Sequence, residues 1–251
     1  MIDIHTHILP HFDDGAKDAQ IARQMLDAER AQGVKTVVIT PHFYGKRYSP
    51  QQFLKRRDEA FALIKDTFPE SVEVRLGAEV HFTGINLPDF EELCLLAIEG
   101  TKCLLLEFPF TTKWTKALMD MLSDFIDETG YTPIIAHIER YEEVRKRPAY
   151  VTELVNMGCL LQVNAQAFVD KKDRGFAFAL LKRGLVHCIG SDAHDMEMRS
   201  PDITEAKKAI EKAGFAEQWE RSQEITAKIL LGEQPCFTEK KPLKKFWGRY
   251  Y

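Results

Sequence analysis

Short, mostly apolar runs alternate along the chain with longer stretches whose apolar positions recur at a helical period. The runs lack the alternation of strands with one wet face, and this is typical of strands that helices cover on both sides. They lie at 1–4, 36–40, 72–78, 103–107, 132–136, 159–164 and 186–190. The pattern therefore predicts seven parallel strands separated by helices.

Helical segments fill the intervals between these runs. They are predicted at 18–33, 50–67, 88–98, 114–129, 147–158, 173–184, 202–213 and 222–231. Ser49 is the predicted N-cap of the second helix, with Pro50 at its first position, and Gly214 and Gly232 are predicted to end the last two.

Polar residues follow nearly every run, and this distribution selects the fold class. In an open doubly wound sheet, site residues collect at one switch point, whereas a barrel gathers them from all its strands. We therefore predict a single α/β domain over 1–237, a distorted (β/α)7 TIM-like barrel, a size that suits the 251-residue chain. Residues 238–251 form a basic, aromatic tail, which either packs on the barrel or docks an acidic partner or an anionic membrane surface.

Composition narrows the function classes. An apolar fraction of 45% and a net charge of −4 are ordinary for a globular domain and argue against a nucleic-acid-binding surface. No apolar run has the length of a membrane span, and the first residues do not form a signal peptide, so we expect a cytoplasmic protein. The five cysteines form no CxxC pair. None is followed six positions later by Arg, which excludes the phosphate loop of cysteine-based tyrosine phosphatases.

Residue types that commonly bind metals lie at the ends of six runs or in the loops that follow. They are His5, His7, Asp14, His42, Glu79, Glu107, His137, Asp192 and His194. The run at 159–164 instead ends in the amides Gln162 and Asn164, which we expect to shape the substrate pocket.

Nine ligands exceed the needs of one ion, so the sequence predicts two to three metals. Residues two apart on a strand face the same side, which lets His5 and His7 share an ion. Imidazole and carboxylate ligands without thiolate suit manganese, iron or zinc. A bridging carboxylate would hold two ions about 3.5–4 Å apart, the spacing used for displacement at phosphorus by an activated hydroxide.

Phosphate also needs positively charged donors. Arg140 follows His137 by three residues and Arg199 follows His194 by five, so both are candidates for binding phosphate during catalysis. Each could instead form a surface salt bridge. Arg47 and Tyr48, after His42, are weaker candidates, Tyr48 for stacking on a substrate ring.

These residues resemble the motifs of the polymerase and histidinol phosphatase (PHP) family of metal-dependent phosphoesterases. The motifs are His5-Thr6-His7, the segment near His42, His137, and Gly190-Ser191-Asp192-Ala193-His194, and the likeness extends over about 200 residues. Asp3–Pro10 leading to Asp13-Asp14-Gly15, together with Ala136–Tyr141, is most similar to the protein-tyrosine phosphatases of bacterial capsule and exopolysaccharide gene clusters.

The resemblance implies a trinuclear, manganese-preferring site that hydrolyses phosphotyrosine on the tail of a partner tyrosine kinase. It implies one metal on His5, His7 and Asp192, a second on Glu79, Glu107 and His137, and a third on Asp14, His42 and His194. Either glutamate could bridge. His11 departs from the pattern, and we expect it to face solvent or to lie behind the ligands.

Two alternatives stay open from the sequence alone. One is a phosphatase for small molecules of the histidinol-phosphate type, or a nuclease, on the same barrel. The other is a regulatory binding protein that keeps its metals for structure.

Overall fold

The strands of the main sheet all run parallel in the computed structural model, which describes residues 1–68, 71–83, 87–233, 239–246 and 249–250. Nine strands are β1 (Ile2–Thr6), β2 (Thr36–Ile39), β3 (His42–Phe43), β4 (Glu73–Leu76), β5 (Glu79–His81), β6 (Cys103–Glu107), β7 (Thr132–Ile135), β8 (Leu160–Asn164) and β9 (Cys188–Gly190). They pair in the orders β1-β2-β4 and β3-β5-β6-β7-β8-β9.

Two predicted strands are each interrupted once. The chain passes from β2 to β3 through Thr40-Pro41, and from β4 to β5 through Gly77-Ala78. Hydrogen bonds continue across the gap, from the Gly77 amide to the Ile39 carbonyl (2.8 Å) and from the Glu79 amide to the Pro41 carbonyl (3.0 Å). The nine strands are thus seven stretches of chain in sequential order, as predicted.

A bridge between Thr6 and Ala193 joins the end of β1 to the segment after β9. The His7 amide donates to the Ala193 carbonyl at 2.8 Å, which holds the same two segments together. The first and last stretches of the sheet are therefore neighbours, and the predicted distorted (β/α)7 barrel is confirmed.

Helices cover the outside of the sheet. They are α1 (Ala19–Ala31), α2 (Pro50–Ala62), α3 (Phe90–Cys94), α4 (Lys116–Thr129), α5 (Glu142–Lys146), α6 (Ala149–Met157), α7 (Arg174–Lys182), α8 (Thr204–Lys212) and α9 (Ala216–Leu230). Ser49 forms the predicted cap of α2, as a capping box with Gln52 and with Pro50 in the first turn. None of the described helices is long and apolar enough to cross a membrane.

Three predicted helices differ from the structure by more than two residues at one end. Helix α3 has five residues where 88–98 was predicted, because the chain turns at Leu95 to bring buried Leu96 and Ile98 under the sheet. Helix α2 ends five residues early, and a 3₁₀ turn at Lys65–Thr67 follows. Helix α9 begins at Ala216 and not at 222, since buried Trp219 adds an extra turn to its packed face.

Alternate residues of the strands divide the core into layers. Leu104 and Leu106 of β6 belong to the large cluster that packs against helices, whereas Cys103 and Leu105 belong to an inner cluster shared with several other strands. Ile229 of α9 joins this inner cluster. The enclosed space is therefore filled, and only its mouth is left for polar side chains.

The described part of the tail packs on the barrel. Leu243 is buried, and the Lys240 backbone exchanges two hydrogen bonds with the side chain of Asn156. The short strands β10 (Lys245–Phe246) and β11 (Arg249–Tyr250) pair as a hairpin. Thr238, residues 247–248 and residue 251 of the predicted tail lie outside the described residues, and docking by the tail stays a prediction.

Candidate metal centre

The carboxyl ends of the strands meet at one mouth of the barrel, and the structure brings all nine predicted ligands together there. Eight of them form three overlapping groups, within each of which the ligand atoms lie within 4.8 Å of one another. The groups are His5, His7 and Asp192; His42, Glu79 and Glu107; and His7, Asp14, His42 and His194. His137 joins them through Glu79, 3.0 Å from its Nε2 atom.

Glu79 is the centre of the cluster. Its Oε1 atom lies 3.0 Å from His137 and 3.4 Å from His5, and its Oε2 atom lies 2.9 Å from His42 and 3.4 Å from His7. The carboxylate is fully buried, so these four imidazoles are its surroundings in place of water. It therefore faces all three groups.

The group at the start of the chain has the spacing of ligands around an ion. The Nε2 atoms of His5 and His7 are 3.2 Å apart, and Asp192 Oδ1 lies 3.5 and 3.6 Å from them. Atoms bound at 2.0–2.2 Å to one ion lie roughly 3.0–3.5 Å from each other. These contacts are too long for good hydrogen bonds between nitrogen and carboxylate, yet suit a shared cation.

The other two groups are connected through His42. Its Nδ1 atom lies 3.8 Å from Glu107 Oε2, and its Nε2 atom lies 3.4 Å from Asp14 Oδ1. His194 Nε2 lies 3.5 Å from the same Asp14 oxygen and is buried without a hydrogen bond. Asp14 is the exposed member of the cluster, with 58% of its side chain accessible. The third predicted metal position is thus the one open to solvent.

A second layer of polar groups orients the ligands. Asp13 Oδ2 lies 2.8 Å from His7 Nδ1 and accepts a hydrogen bond from the His42 amide at 2.9 Å. This contact turns His7 Nε2 towards the cluster. In the sequence, Asp13 appears only within the Asp13-Asp14-Gly15 segment, and its position beside Asp14 was the only signal for this role.

The amides of β8 belong to the same layer. Gln162 Oε1 accepts from the His137 amide at 2.7 Å and lies 3.3 Å from His5 Nδ1, and Asn164 donates to Asp192 at 2.8 Å. Neither amide lines the cavity at the mouth. The prediction that they shape the substrate pocket is therefore wrong, because β8 directs both into the interior, where they hold ligands in place.

Close backbone approaches allow the ligands to converge. A Cβ atom on Gly15 would lie 2.0 Å from the His7 carbonyl oxygen, and one on Gly190 would lie 2.6 Å from His5 Cβ. His137 (φ 31°) and Asp192 (φ 56°) adopt the left-handed region that non-glycine residues rarely occupy. Strain of this kind persists where surrounding contacts fix a functional geometry.

The cluster combines buried acids with buried bases. Burial alone would raise the pKa of Glu79, but His5, His137 and His42 hold that pKa well below its usual value. Burial opposes protonation of His7, and the Asp13 carboxylate overcomes it and raises the pKa of His7 to about 9. Burial likewise disfavours charged His42, yet Asp14 and Glu79 raise its pKa to about 12. The site therefore holds positive charge strongly, whether as protons or as metal.

Both predicted arginines reach the cluster and contact its carboxylates. Arg140 donates to Asp192 at 2.8 Å, and Arg199 donates to Asp14 at 2.8 Å. They line a cavity of about 290 Å³ together with seven of the nine predicted ligands. The other lining residues are Tyr44, His81, Phe108, Pro109 and Phe110. The two arginine side chains are 37% and 38% exposed, so both are salt-bridged and still accessible from the cavity.

Two other sequence candidates lie away from the cluster, and one residue that was not predicted joins it. His11 is exposed, as expected, and Tyr48 stacks under Arg56 outside the cavity lining. His81, which the sequence analysis did not single out, lies 3.1 Å from Glu107 and lines the cavity. Its position two residues after Glu79, on the same strand, was the available signal.

The residues present fit a cluster of divalent cations. Oxygen and imidazole ligands converge at ion spacing, Glu79 is shared by several imidazoles, and a buried nitrogen of His194 lacks a hydrogen bond. No described cysteine takes part, and burial raises the pKa of the Cys103, Cys159 and Cys188 thiols to about 12. The donor set is therefore that of a hard or borderline metal and not of a thiolate site.

Comparison with known proteins identifies the group of tyrosine phosphatases that the sequence motifs resemble. The family described as capsular polysaccharide synthesis, CpsB/CapC, matches residues 1–228. Tyrosine-protein phosphatase YwqE of Bacillus subtilis is 32% identical over 98% of this chain and 97% of its own length. Tyrosine-protein phosphatase CpsB of Streptococcus agalactiae is 32% identical over 84% of this chain and 89% of its own.

Solved structures extend the likeness to the fold. One is described as YwqE from Bacillus subtilis and CpsB from Streptococcus pneumoniae, unique metal-dependent tyrosine phosphatases. Its TM-score is 0.84 at 29% identity, and the match covers 98% of this chain and 100% of the other. A histidinol phosphate phosphatase from Lactococcus lactis, at 17% identity and a TM-score of 0.52 over 85% and 94% of the two chains, shares the fold. With a family match over most of its length, this chain belongs to the CpsB/CapC family of capsular polysaccharide synthesis proteins.

Proposed function

We propose that this protein is a metal-dependent tyrosine-protein phosphatase. The observation that carries the proposal is the convergence of nine imidazole and carboxylate ligands around Glu79, on the floor of a cavity that also contains Arg140 and Arg199. Its curated relatives are tyrosine-protein phosphatases, which are phosphoric monoester hydrolases.

Glu79 is the carboxylate that we propose would help to hold more than one metal. It lies within 3.4 Å of four imidazoles through both of its oxygens, whereas Glu107 lies 3.6 Å from His137 and 3.8 Å from His42. We keep the three ligand sets implied by the PHP resemblance as the proposal. The groups of neighbouring ligand atoms in the structure overlap these sets, and His7 and His42 each belong to two groups. Manganese is the proposed metal, and iron and zinc suit the same ligands.

Residues around the ligands would bind the phosphate and keep the ligands oriented. Arg140 and Arg199 would bind phosphate oxygens. In the structure they donate to Asp192 and Asp14, two of the residues that would hold metal. Asp13, Gln162 and Asn164 keep the ligands oriented. Metals held by these ligands would supply Lewis acidity and a water of lowered pKa for the hydrolysis of a phosphate ester.

The proposed substrate is the phosphotyrosine-bearing tail of a bacterial tyrosine kinase that regulates capsule or exopolysaccharide synthesis. The family description and the relatives' names support this context. We place the protein in the cytoplasm, where the four free cysteines among its described residues would stay reduced.

Turnover of three substrates on metal-stripped protein reloaded with single ions tests the proposal. Phosphotyrosine peptide, phosphoserine peptide and histidinol phosphate are compared with Mn²⁺, Fe²⁺ and Zn²⁺. We expect metal-dependent hydrolysis that favours phosphotyrosine. Comparable kcat/KM for histidinol phosphate would favour the small-molecule alternative, and tight metal binding without turnover of any substrate would favour a binding protein.

A further inference from the structure

Two aromatic side chains flank the cavity above the proposed metal cluster. The Tyr44 ring lies 5.4 Å from the His42 ring and 5.1 Å from the His81 ring. The Phe110 ring lies 5.6 Å from the His137 ring. Because His42 and His137 contact opposite oxygens of Glu79, the two aromatic residues stand on different sides of that carboxylate.

Phe110 is unusual among the apolar residues of the described chain. It is 48% exposed, and it is the only aromatic residue among the large hydrophobic side chains that the described structure leaves exposed. It also lines a cavity whose other walls are mostly acids, histidines and arginines. Half a phenyl ring open to solvent in a polar cavity is apolar surface that an aromatic ligand would cover.

Phe110 is also fixed next to the residue proposed to bind phosphate. The Arg140 guanidinium carbon lies 5.5 Å from the centre of the Phe110 ring, and the Tyr141 ring lies 6.2 Å away. On the other wall, Arg47 lies over the Tyr44 ring at 5.1 Å. A phosphate held by Arg140 would therefore have Phe110 within reach of its ester group.

We infer that Phe110 and Tyr44 form an aryl-binding wall that makes the site selective for phosphotyrosine. The inference rests on the proposed function and names residues that determine its specificity. The ring of phosphotyrosine lies directly beyond its ester oxygen, where the wall stands, whereas phosphoserine places its peptide backbone there. The wall therefore stabilises the binding of an aromatic phosphate ester and does not stabilise the binding of an aliphatic one.

Binding and turnover are measured together on Mn²⁺-loaded protein. Phenylphosphonate and ethylphosphonate are titrated by calorimetry, and kcat/KM is measured for phosphotyrosine and phosphoserine peptides of one sequence. Phe110→Ala should weaken phenylphosphonate binding and phosphotyrosine turnover about tenfold, the size of an aromatic pair with its buried area. Ethylphosphonate binding and phosphoserine turnover should change less than about twofold.

Further variants separate the ring from its shape and from the fold. Phe110→Tyr should keep the aryl preference and Phe110→Leu should lose it. Leu95→Ala, at an equally exposed apolar residue outside the cavity lining (47% exposed), should change neither ratio. Equal losses for aryl and ethyl ligands in Phe110→Ala would overturn the inference.

The two proposals fail in distinguishable ways. If the wild type hydrolyses neither peptide, the proposed function fails, and the phosphonate affinities still decide the aryl wall. If the wild type is active and Phe110→Ala keeps the wild-type preference in both assays, only the aryl wall fails. If neither peptide is hydrolysed and neither phosphonate binds, both proposals fail.

Discussion

Glu79, at the centre of the ligand cluster, and the pair of Glu29 and Asp3 are fully buried carboxyl groups that differ in almost everything except burial. Glu79 is surrounded by four imidazoles, which hold its pKa well below the usual value despite desolvation. Glu29 of α1 faces Asp3 of β1, and burial followed by the charge of Asp3 raises the pKa of Glu29 well above normal. Glu79 is therefore held in its charged form, whereas the pKa of Glu29 is shifted towards protonation.

The difference shows that neighbours, and not burial, decide what a buried acid does. Bases around Glu79 make a site that attracts cations. At the other cluster, Asp3 Oδ1 accepts from the amides of His5 (3.1 Å) and Ser191 (2.9 Å), so the acid pair fastens β1 to the segment after β9. Asp3 and Glu29 thus hold the backbone that carries His5, while Glu79 faces its imidazole.

Replacing Glu79 should have the largest effect. Glu79→Gln keeps the shape but removes the charge that faces three ligand groups, so we expect kcat/KM to fall at least about 10³-fold and bound metal to decrease, since metals contribute several kcal/mol to such reactions. Metal content by mass spectrometry and phosphotyrosine turnover check this. Glu29→Gln is the matched control, and it should keep its metal and its activity. Similar losses in both variants would mean that the two clusters do not differ in function.

Arg140→Ala should have the next largest effect. A charged hydrogen bond contributes about 1.5–3 kcal/mol, so we expect kcat/KM to fall roughly 10–100-fold. Arg140→Lys should recover little, because a guanidinium binds two phosphate oxygens at once. Arg23→Ala, at an exposed helix pair with Asp27, is the control. An Arg140→Ala variant with wild-type kcat/KM would contradict the proposed phosphate contact.

The pH dependence of metal binding is a further difference expected between the cluster around Glu79 and the pair of Asp3 and Glu29. The pKa of His7 is raised from 6.5 to about 9. In the metal-free protein, its contribution to stability is therefore fully present below pH 6.5 and is lost as pH rises through about 9. Metal must displace this proton, so binding should strengthen by about 1.4 kcal/mol per pH unit for each proton released.

Melting temperatures with and without Mn²⁺ between pH 6 and 9 measure this effect. We expect the rise in melting temperature caused by Mn²⁺ to grow with pH, by roughly 3–5 °C per pH unit for each proton released. We expect turnover to fall below about pH 6. Asp13→Asn, which removes the carboxylate beside His7, should flatten the pH dependence of the metal-free protein. A constant Mn²⁺ shift across this range would contradict proton displacement.

Glu29→Gln should have the smallest effect, and of opposite sign. An acid whose folded pKa is raised costs stability above its unfolded pKa of about 4.5, and the cost grows as pH rises towards the folded value. The amide removes this cost, so Glu29→Gln should be more stable than wild type by about 1 kcal/mol at pH 8, with a smaller difference at pH 5. Urea denaturation at both pH values is the measurement, and a destabilised variant at pH 8 would exclude the protonated acid.

Much of the site could be predicted because parallel strands deliver their ends to one edge. The residue types after each apolar run, from His5 to His194, are enough to place nine ligands at one mouth. The roles of Asp13, Gln162 and Asn164 could not be read in this way, since each depends on which atom of a neighbouring strand its side chain meets. His81 was missed for the same reason.

By itself, the sequence determined the alternation of strands and helices, the barrel class and the residue types at the mouth. These follow from periodicity and chain order, which are local properties. Tertiary structure alone decided that Glu79 lies at the centre, that Asp3 and Glu29 pair, and that Phe110 stands open beside Arg140. The physical reason is that charge, pKa and exposure depend on distances of a few ångströms between residues far apart in the chain, and only the closed barrel fixes those distances.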